Sequence, residues 1–314
     1  MITGKVVYIV GVGRSGTSLL QSMLNAHSKM VSLPETQFFR KYVANRKKRE
    51  AIERKGAAGF KSILLNDPVI ARLKIDIEDL RTLHSGNLDI IEVYQEILSI
   101  FKSRKNTEIV VDKDPRNIDF IPCMTAIFET PKIIHIVRDP RDVVLSKTKA
   151  KWSAGRPYWL HAMIGEAQLN FCHKNTRNLT TDNLLRVCYE ELLADPSEIL
   201  TKISSFIGVQ FESSMLDFQD SAKALVSKEE LQWKSETIGP LLRNNSNKWS
   251  KEFTSRQIRL IEKVSKFSMK HFNYVPWQDA NKGIDKLWQP LNFIKVVSYF
   301  FNLLYELKVK KQCR

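Results

Sequence analysis

The sequence predicts an α/β protein, a doubly wound parallel sheet flanked by helices, as a single domain over residues 1–285 with a helical C-terminal tail over 286–314. Two near-continuous apolar runs, residues 6–10 and 133–137, read as strands buried on both faces, as parallel strands are. Runs at 30–32, 107–111 and 183–188 read as further strands. Helical patterns follow the main runs, and strands that alternate with helices from end to end argue a parallel sheet. The 314 residues carry 49 Lys and Arg against 34 Asp and Glu, a net charge of +15. A surplus of that size implies anionic partners without saying which.

Taken in order, the first strand stops at Gly11, and Gly11, Val12, Gly13, Arg14, Ser15, Gly16, Thr17 and Ser18 open into a helix with Leu19, Leu20, Met23 and Leu24 at helical spacing. Such a strand-to-helix turn aims backbone N–H groups and a positive helix end at one spot, a site for an anion, usually a phosphate. Three motifs fit the same residues. GVGRSG satisfies G-x-G-x-x-G, the dinucleotide fingerprint, and Glu35 stands near the acidic position that fingerprint needs. Gly11 and Gly16 also match the glycines of G-x-x-x-x-G-K-[ST], a P-loop-like outline, yet Thr17 occupies the lysine position and disfavours ordinary ATP hydrolysis. In the third reading Arg14 is the cation and residues 15–18 are amide and hydroxyl donors to a terminal oxyanion, with no metal.

Glu35 follows Pro34, just past the second strand, where loop residues of open α/β sheets face ligands. Residues 40–55 are heavily basic and read as a solvated helix face, with a polyanion-binding surface as the other reading. Lys113 ends the third strand and is placed to reach a cofactor, or to pair with Asp112 or Asp114 on the surface. Arg138 ends the fourth; Asp139-Pro140 then caps a helix carrying Ser146, and Arg138 with Ser146 could hold a second phosphate. His135, inside that strand, reads as a core histidine. Helical patterns continue over 157–177 and 254–272, with NSNKWSK at 245–251 the one distinctive part of a loop-rich stretch. In the tail, Asn292, Lys295, Ser298, Asn302 and Glu306 mark a narrow polar face on an otherwise apolar helix, suited to docking on the body, to a homodimer contact or to peripheral membrane contact. Four cysteines lack metal-site or disulfide-framework spacing, and neither a signal-peptide pattern nor a membrane span is visible, which points to a cytoplasmic protein.

The blocks GVGRSGTSLLQSML, PET, DKDPRN, HIVRDPRDVVLS, VCYEELLADP and NKW, in that order, resemble the sulfotransferases that use 3′-phosphoadenosine 5′-phosphosulfate, above all bacterial members and the tyrosylprotein sulfotransferases. The resemblance covers residues 5–272 in scattered blocks and leaves the tail outside. It implies that residues 14–18 bind the 5′-phosphosulfate, that Arg138 and Ser146 bind the 3′-phosphate, and that Tyr189 and Lys248 add cofactor contacts. By the same likeness Glu35 is the general base, Lys113 sits beside the bridging oxygen, and the product is adenosine 3′,5′-bisphosphate, with no metal required. The chain departs from the cytosolic small-molecule sulfotransferases, which carry a lysine in the first loop, a Lys-Thr-His base motif and an Arg-Lys-Gly segment. An anionic peptide or glycan suits the basic surface as acceptor, a lipid-linked one the apolar tail; nucleic acid is not expected. The alternatives are a P-loop nucleotide kinase, which would need the loop lysine, and a non-enzymatic polyanion-binding protein, which leaves Glu35 unexplained.

Overall fold

Five parallel strands form one sheet in the order β2-β3-β1-β4-β5. They are β1 (Lys5–Val10), β2 (Met30–Ser32), β3 (Ile109–Lys113), β4 (Lys132–Val137) and β5 (Leu184–Cys188). The computed structural model describes residues 5–128, 131–153, 155–226, 238–278 and 290–313. The expected boundary between domain and tail lies outside them, as does part of the polar stretch before NSNKWSK. The central strand pairs on both sides, with Tyr8 opposite Asp112 and Ile9 opposite Lys113 on one, and Val10 opposite His135 on the other.

Both faces of the sheet are covered, which is why its central strands β1 and β4 read as near-continuous apolar runs. Val7, Ile9, Val111, Ile134 and Ile136 pack with helices α1 (Thr17–Asn25) and α9 (Pro196–Ile207). Tyr8, Val10, Val110 and Ile133 face the other layer, with Phe38, Phe39 and the buried side of α4 (Ile90–Lys105). The remaining α-helices among the described residues are α2 (Arg46–Glu53), α3 (Gly56–Leu65), α5 (Ile121–Ile127), α6 (Pro140–Lys149), α7 (Tyr158–Asn175), α8 (Tyr189–Ala194), α10 (Gln219–Leu225), α11 (Trp249–Glu252), α12 (Ser255–Val264), α13 (Lys266–His271) and α14 (Pro290–Cys313).

Capping residues set the helix boundaries. Asp139 accepts from the Arg141 amide at 2.8 Å, with Pro140 in the first turn of α6, as the sequence suggested. The basic run is not one helix. A π-helical turn, Phe39–Val43, precedes α2, and the Asn45 side chain accepts from the Lys48 amide at 3.1 Å. Asparagine competes with the helical backbone in this way, so it starts a new helix rather than continuing an old one. The expected helix over 254–272 also divides, because the buried Glu166 carboxylate accepts from the amides of Phe267 and Ser268 at 2.7 and 3.2 Å and so opens α13. His135 is a core residue, its ring driven down to about 3 by burial.

Cys123 is disulfide-bonded, while Cys172 and Cys188 are free. The cysteine spacing argued against a bridge, but one that joins residues distant in sequence leaves no local signature. The tail helix α14 docks on the body: Val297 and Phe301 join Val144, Ala162, Met163, Ile261 and Val264, and Tyr305 donates to Asp119 at 2.7 Å. No helix among the described residues is long and apolar enough to cross a membrane.

Asp112, in the middle of this core, accepts from the Tyr94 hydroxyl at 2.5 Å, and burial pushes its carboxyl up to about 6. A carboxyl that holds its proton more tightly folded than unfolded favours the fold at low pH, and that contribution is lost as pH rises through the folded value. Asp112→Asn keeps an acceptor for Tyr94 and should therefore raise the unfolding free energy at pH 8 by up to about 3 kcal/mol. The gain should vanish below about pH 4 in urea titrations at both pH values.

Candidate active site

At the carboxyl edge of the sheet, the ends of β1, β3 and β4 lie side by side and place Gly11, Lys113 and Arg138 around one crevice, the position where open α/β sheets bind ligands. The cleft holds about 360 Å³ and is lined by the loop after β1, Glu35, Arg40, Arg138, Tyr189 and Asn245 among others.

The loop is shaped by two of its glycines. Gly16 has φ +93°, and a Cβ there would fall 2.3 Å from the Tyr189 ring; a Cβ on Gly11 would fall 2.6 Å from the Ile136 carbonyl oxygen. A Cβ on Gly13 would meet nothing within 4 Å. The glycines that the protein's own packing requires are thus those of the G-x-x-x-x-G spacing, and the middle glycine of the dinucleotide fingerprint is not required by it. Arg14 is held at φ 79°, a left-handed conformation that non-glycine residues adopt only under constraint. Helix α1 begins after Gly16 with neither a side-chain cap nor an acidic first turn, so its first amides and dipole favour an anion.

Around the loop stand the charges. Lys113 is buried, its Nζ paired with the Glu35 carboxylate and 3.5 Å from Ser18 Oγ. Asp114 pairs with Arg40 at 3.0 Å; burial and then the nearby Glu35 carboxylate push its carboxyl up, against the pull of Arg40. Arg138 donates to the Arg14 carbonyl at 3.2 Å and to the Asn245 carbonyl at 2.7 Å, with its guanidinium 4.4 Å above the Tyr189 ring centroid. Its Nε is buried and has no hydrogen-bond partner among the described residues. Asn245 also donates to the Tyr189 hydroxyl at 3.0 Å. The segment bearing Asn245 is fastened by Asp142, which accepts from the Asn247 and Trp249 amides at 2.6 and 3.2 Å.

A family model described as the sulfotransferase family matches residues 7–213. The chain belongs to the sulfotransferase family. It is 24% identical over 230 residues to the protein-tyrosine sulfotransferase of Drosophila melanogaster, covering 68% of this chain and 40% of that one. A putative protein-tyrosine sulfotransferase of Caenorhabditis briggsae is 20% identical over 278 residues, 84% of this chain and 87% of its own. An uncharacterized protein of Aquifex aeolicus is 22% identical over 222 residues, and this chain spans 26% of its length. The fold is shared with the sulfotransferase domain of the Synechococcus PCC 7002 olefin synthase, at a TM-score of 0.61 and 21% identity, over 86% of this chain and 95% of that domain.

In this sulfotransferase, Arg14, Gly16, Thr17, Ser18, Glu35, Arg138 and Tyr189 line the cleft together. Lys113 touches two of them, and Ser146 accepts from Arg14 Nε at 2.9 Å. The Arg14 side chain therefore reaches toward Ser146, on α6. Ser15 is turned elsewhere, bordering a void of about 10 Å³ with Val137 and Val143. Lys248 is half-buried at the start of α11 and is not among the lining residues, whereas Asn245, three positions earlier, is. Arg40, Asp114 and Arg116 also line the cleft and carry no motif of their own, although the basic run and the DKDPRN block contain them.

Gly16→Ala should cost about 1–3 kcal/mol of stability, since it adds backbone strain and a clash with Tyr189. Gly13→Ala should stay within about 0.5 kcal/mol of the parent. Urea unfolding of the two variants side by side measures the contrast.

Proposed function

We propose that this sulfotransferase moves a sulfuryl group from 3′-phosphoadenosine 5′-phosphosulfate to a hydroxyl or amine of an acceptor, with Glu35 as general base. The observation that supports it is the union, in one cleft, of two anion-seeking centres with a carboxylate–lysine pair. One centre is the uncapped start of α1; the other is Arg138, with its unpartnered Nε. A nucleotide phosphorylated at both ends fits that pair. Gly16, Thr17 and Ser18 would hold its 5′ end, and Arg138 with Ser146 its 3′-phosphate. Arg14 belongs to the first group by its backbone and to the second by its side chain, and Tyr189, with the more distant Lys248, completes the set that the family likeness suggests.

When bound, the nucleotide supplies a sulfuryl group on a phosphate leaving group, for in-line transfer in which charge grows on the leaving oxygen. The acceptor O–H or N–H loses its proton to the Glu35 carboxylate as the new bond to sulfur forms and the bond to the leaving phosphate breaks. Lys113 orients Glu35 and presents a cation, as do Arg14 and the loop amides, so positive charge is available from the chain alone. Arg40 and Arg116 line the same cleft and favour an anionic acceptor, a peptide tyrosine, glycan or lipid-linked group.

Adenosine 3′,5′-bisphosphate should raise the melting temperature more than ATP with magnesium or heparin does; no shift with the bisphosphate would overturn the reading. Glu35→Gln should keep that shift and lower transfer to an acceptor panel by about 10²–10⁴. Arg138→Ala should weaken the 3′-phosphorylated nucleotide by about 10- to 100-fold more than adenosine 5′-phosphosulfate, whose smaller loss reports the tie to the Arg14 loop. Equal losses for both nucleotides would remove Arg138 from the 3′ end.

A further inference from the structure

The tail helix lies on the body with Ser298, Asn302 and Glu306 half-buried. Tyr305 donates to buried Asp119 at 2.7 Å, Glu306 pairs with Lys174 of α7 at 2.8 Å, and Val309 is buried. These contacts set the rotation of α14 about its axis. The rotation leaves Phe300, Leu303, Leu304 and Leu307 at 55%, 43%, 65% and 56% exposure. Their spacing of i, i+3, i+4 and i+7 makes one continuous apolar stripe on the solvent side. A contiguous apolar patch of this kind marks an interaction face, where single exposed leucines would not.

The surroundings of the stripe are cationic. Lys308, Lys310 and Lys311 are exposed on α14 itself. Helix α14 also packs against α2, where Arg46, Lys47 and Lys48 are exposed, with Arg54 and Lys55 just beyond. The acidic groups nearby are already paired: Glu306 with Lys174 and Lys310, Glu50 with Arg46. An apolar stripe on a helix that ends in exposed lysines and packs against a basic helix complements a surface that is apolar beneath and anionic on top.

We propose that α14 and α2 dock this protein on an anionic lipid surface, with the leucines entering the boundary between headgroups and acyl chains and the basic side chains meeting the headgroups. The helix lies in the interface and does not cross it. It also touches the 115–120 turn, whose Arg116 lines the cleft, so the docking face and the cleft are joined by a direct contact.

Co-sedimentation of the full chain with vesicles tests this. Vesicles with about 30% phosphatidylserine in phosphatidylcholine should bind at least about tenfold more tightly than phosphatidylcholine alone, and added salt should release the protein. The double variant Leu304→Glu with Leu307→Glu, and the triple variant Arg46→Glu, Lys47→Glu and Lys48→Glu, should each weaken binding by about tenfold or more. Both sets of positions are on the surface, so melting temperature and bisphosphate binding should stay at the parent values. A parent protein that remains in the supernatant with anionic vesicles, or variants that bind as well as the parent, overturns the proposal. So does a concentration-dependent dimer that the leucine variant dissolves while vesicle binding is nil, since the occupant would then be a second copy of the chain.

Discussion

The Arg138 guanidinium is the tie on which the cleft depends. From the end of a buried strand it grips the Arg14 carbonyl in one loop and the Asn245 carbonyl in another, and its flat face covers the Tyr189 ring. Tyr189 in turn fills the space that makes Gly16 a glycine. Three segments far apart in sequence are thereby held to one geometry by a single planar cation. Arginine suits the task, because its fork donates in fixed directions while its face stacks, which lysine cannot do.

The RDPRD block extends that tie outward. Arg141 pairs with Asp139 and Glu262 and covers Trp249 at 3.8 Å, and Asp142 receives two amides of the segment after Asn245. A buried carboxylate left without such donors would be costly, so each partner constrains the others. The motif thus works as a joint between the sheet and a distant loop. It is the joint that carries Asn245 into the cleft.

Much of this was legible in the sequence, for a physical reason. Parallel strands covered on both faces are apolar almost throughout, as Val6 to Val10 and, His135 apart, Ile133 to Val137 are. Loop glycines, Asp-Pro caps and charged residues at strand ends leave equally local traces. That Arg14, Gly16, Thr17, Ser18, Glu35 and Arg138 share one cleft, with Lys113 against two of them, was therefore legible in advance, while the turn of Ser15 away from it was not. That Asn245 lines the cleft was not legible, because its position arises from where Asp142 pins the loop, a contact across more than a hundred residues. The breaks at Asn45 and Ser265 were hidden likewise: a periodic pattern runs through both, and only a competing hydrogen bond reveals the interruption. For the tail, periodicity found two faces but could not tell which one turns inward, since Asp119 and Lys174 decide that.

The central position of β1 has a consequence for synthesis. Lys5 pairs with Ile109 and Val7 with Lys132, so this strand leaves the ribosome long before either neighbour exists. Until then an apolar strand with two open edges must stay unpaired, the condition in which nascent chains are most prone to associate wrongly. The loop after it gains its final shape later still, once Ile136 and Tyr189 are in place. The strand made before both of its neighbours is therefore completed after them, and the newborn chain depends on time and dilution, or on a chaperone, to protect it.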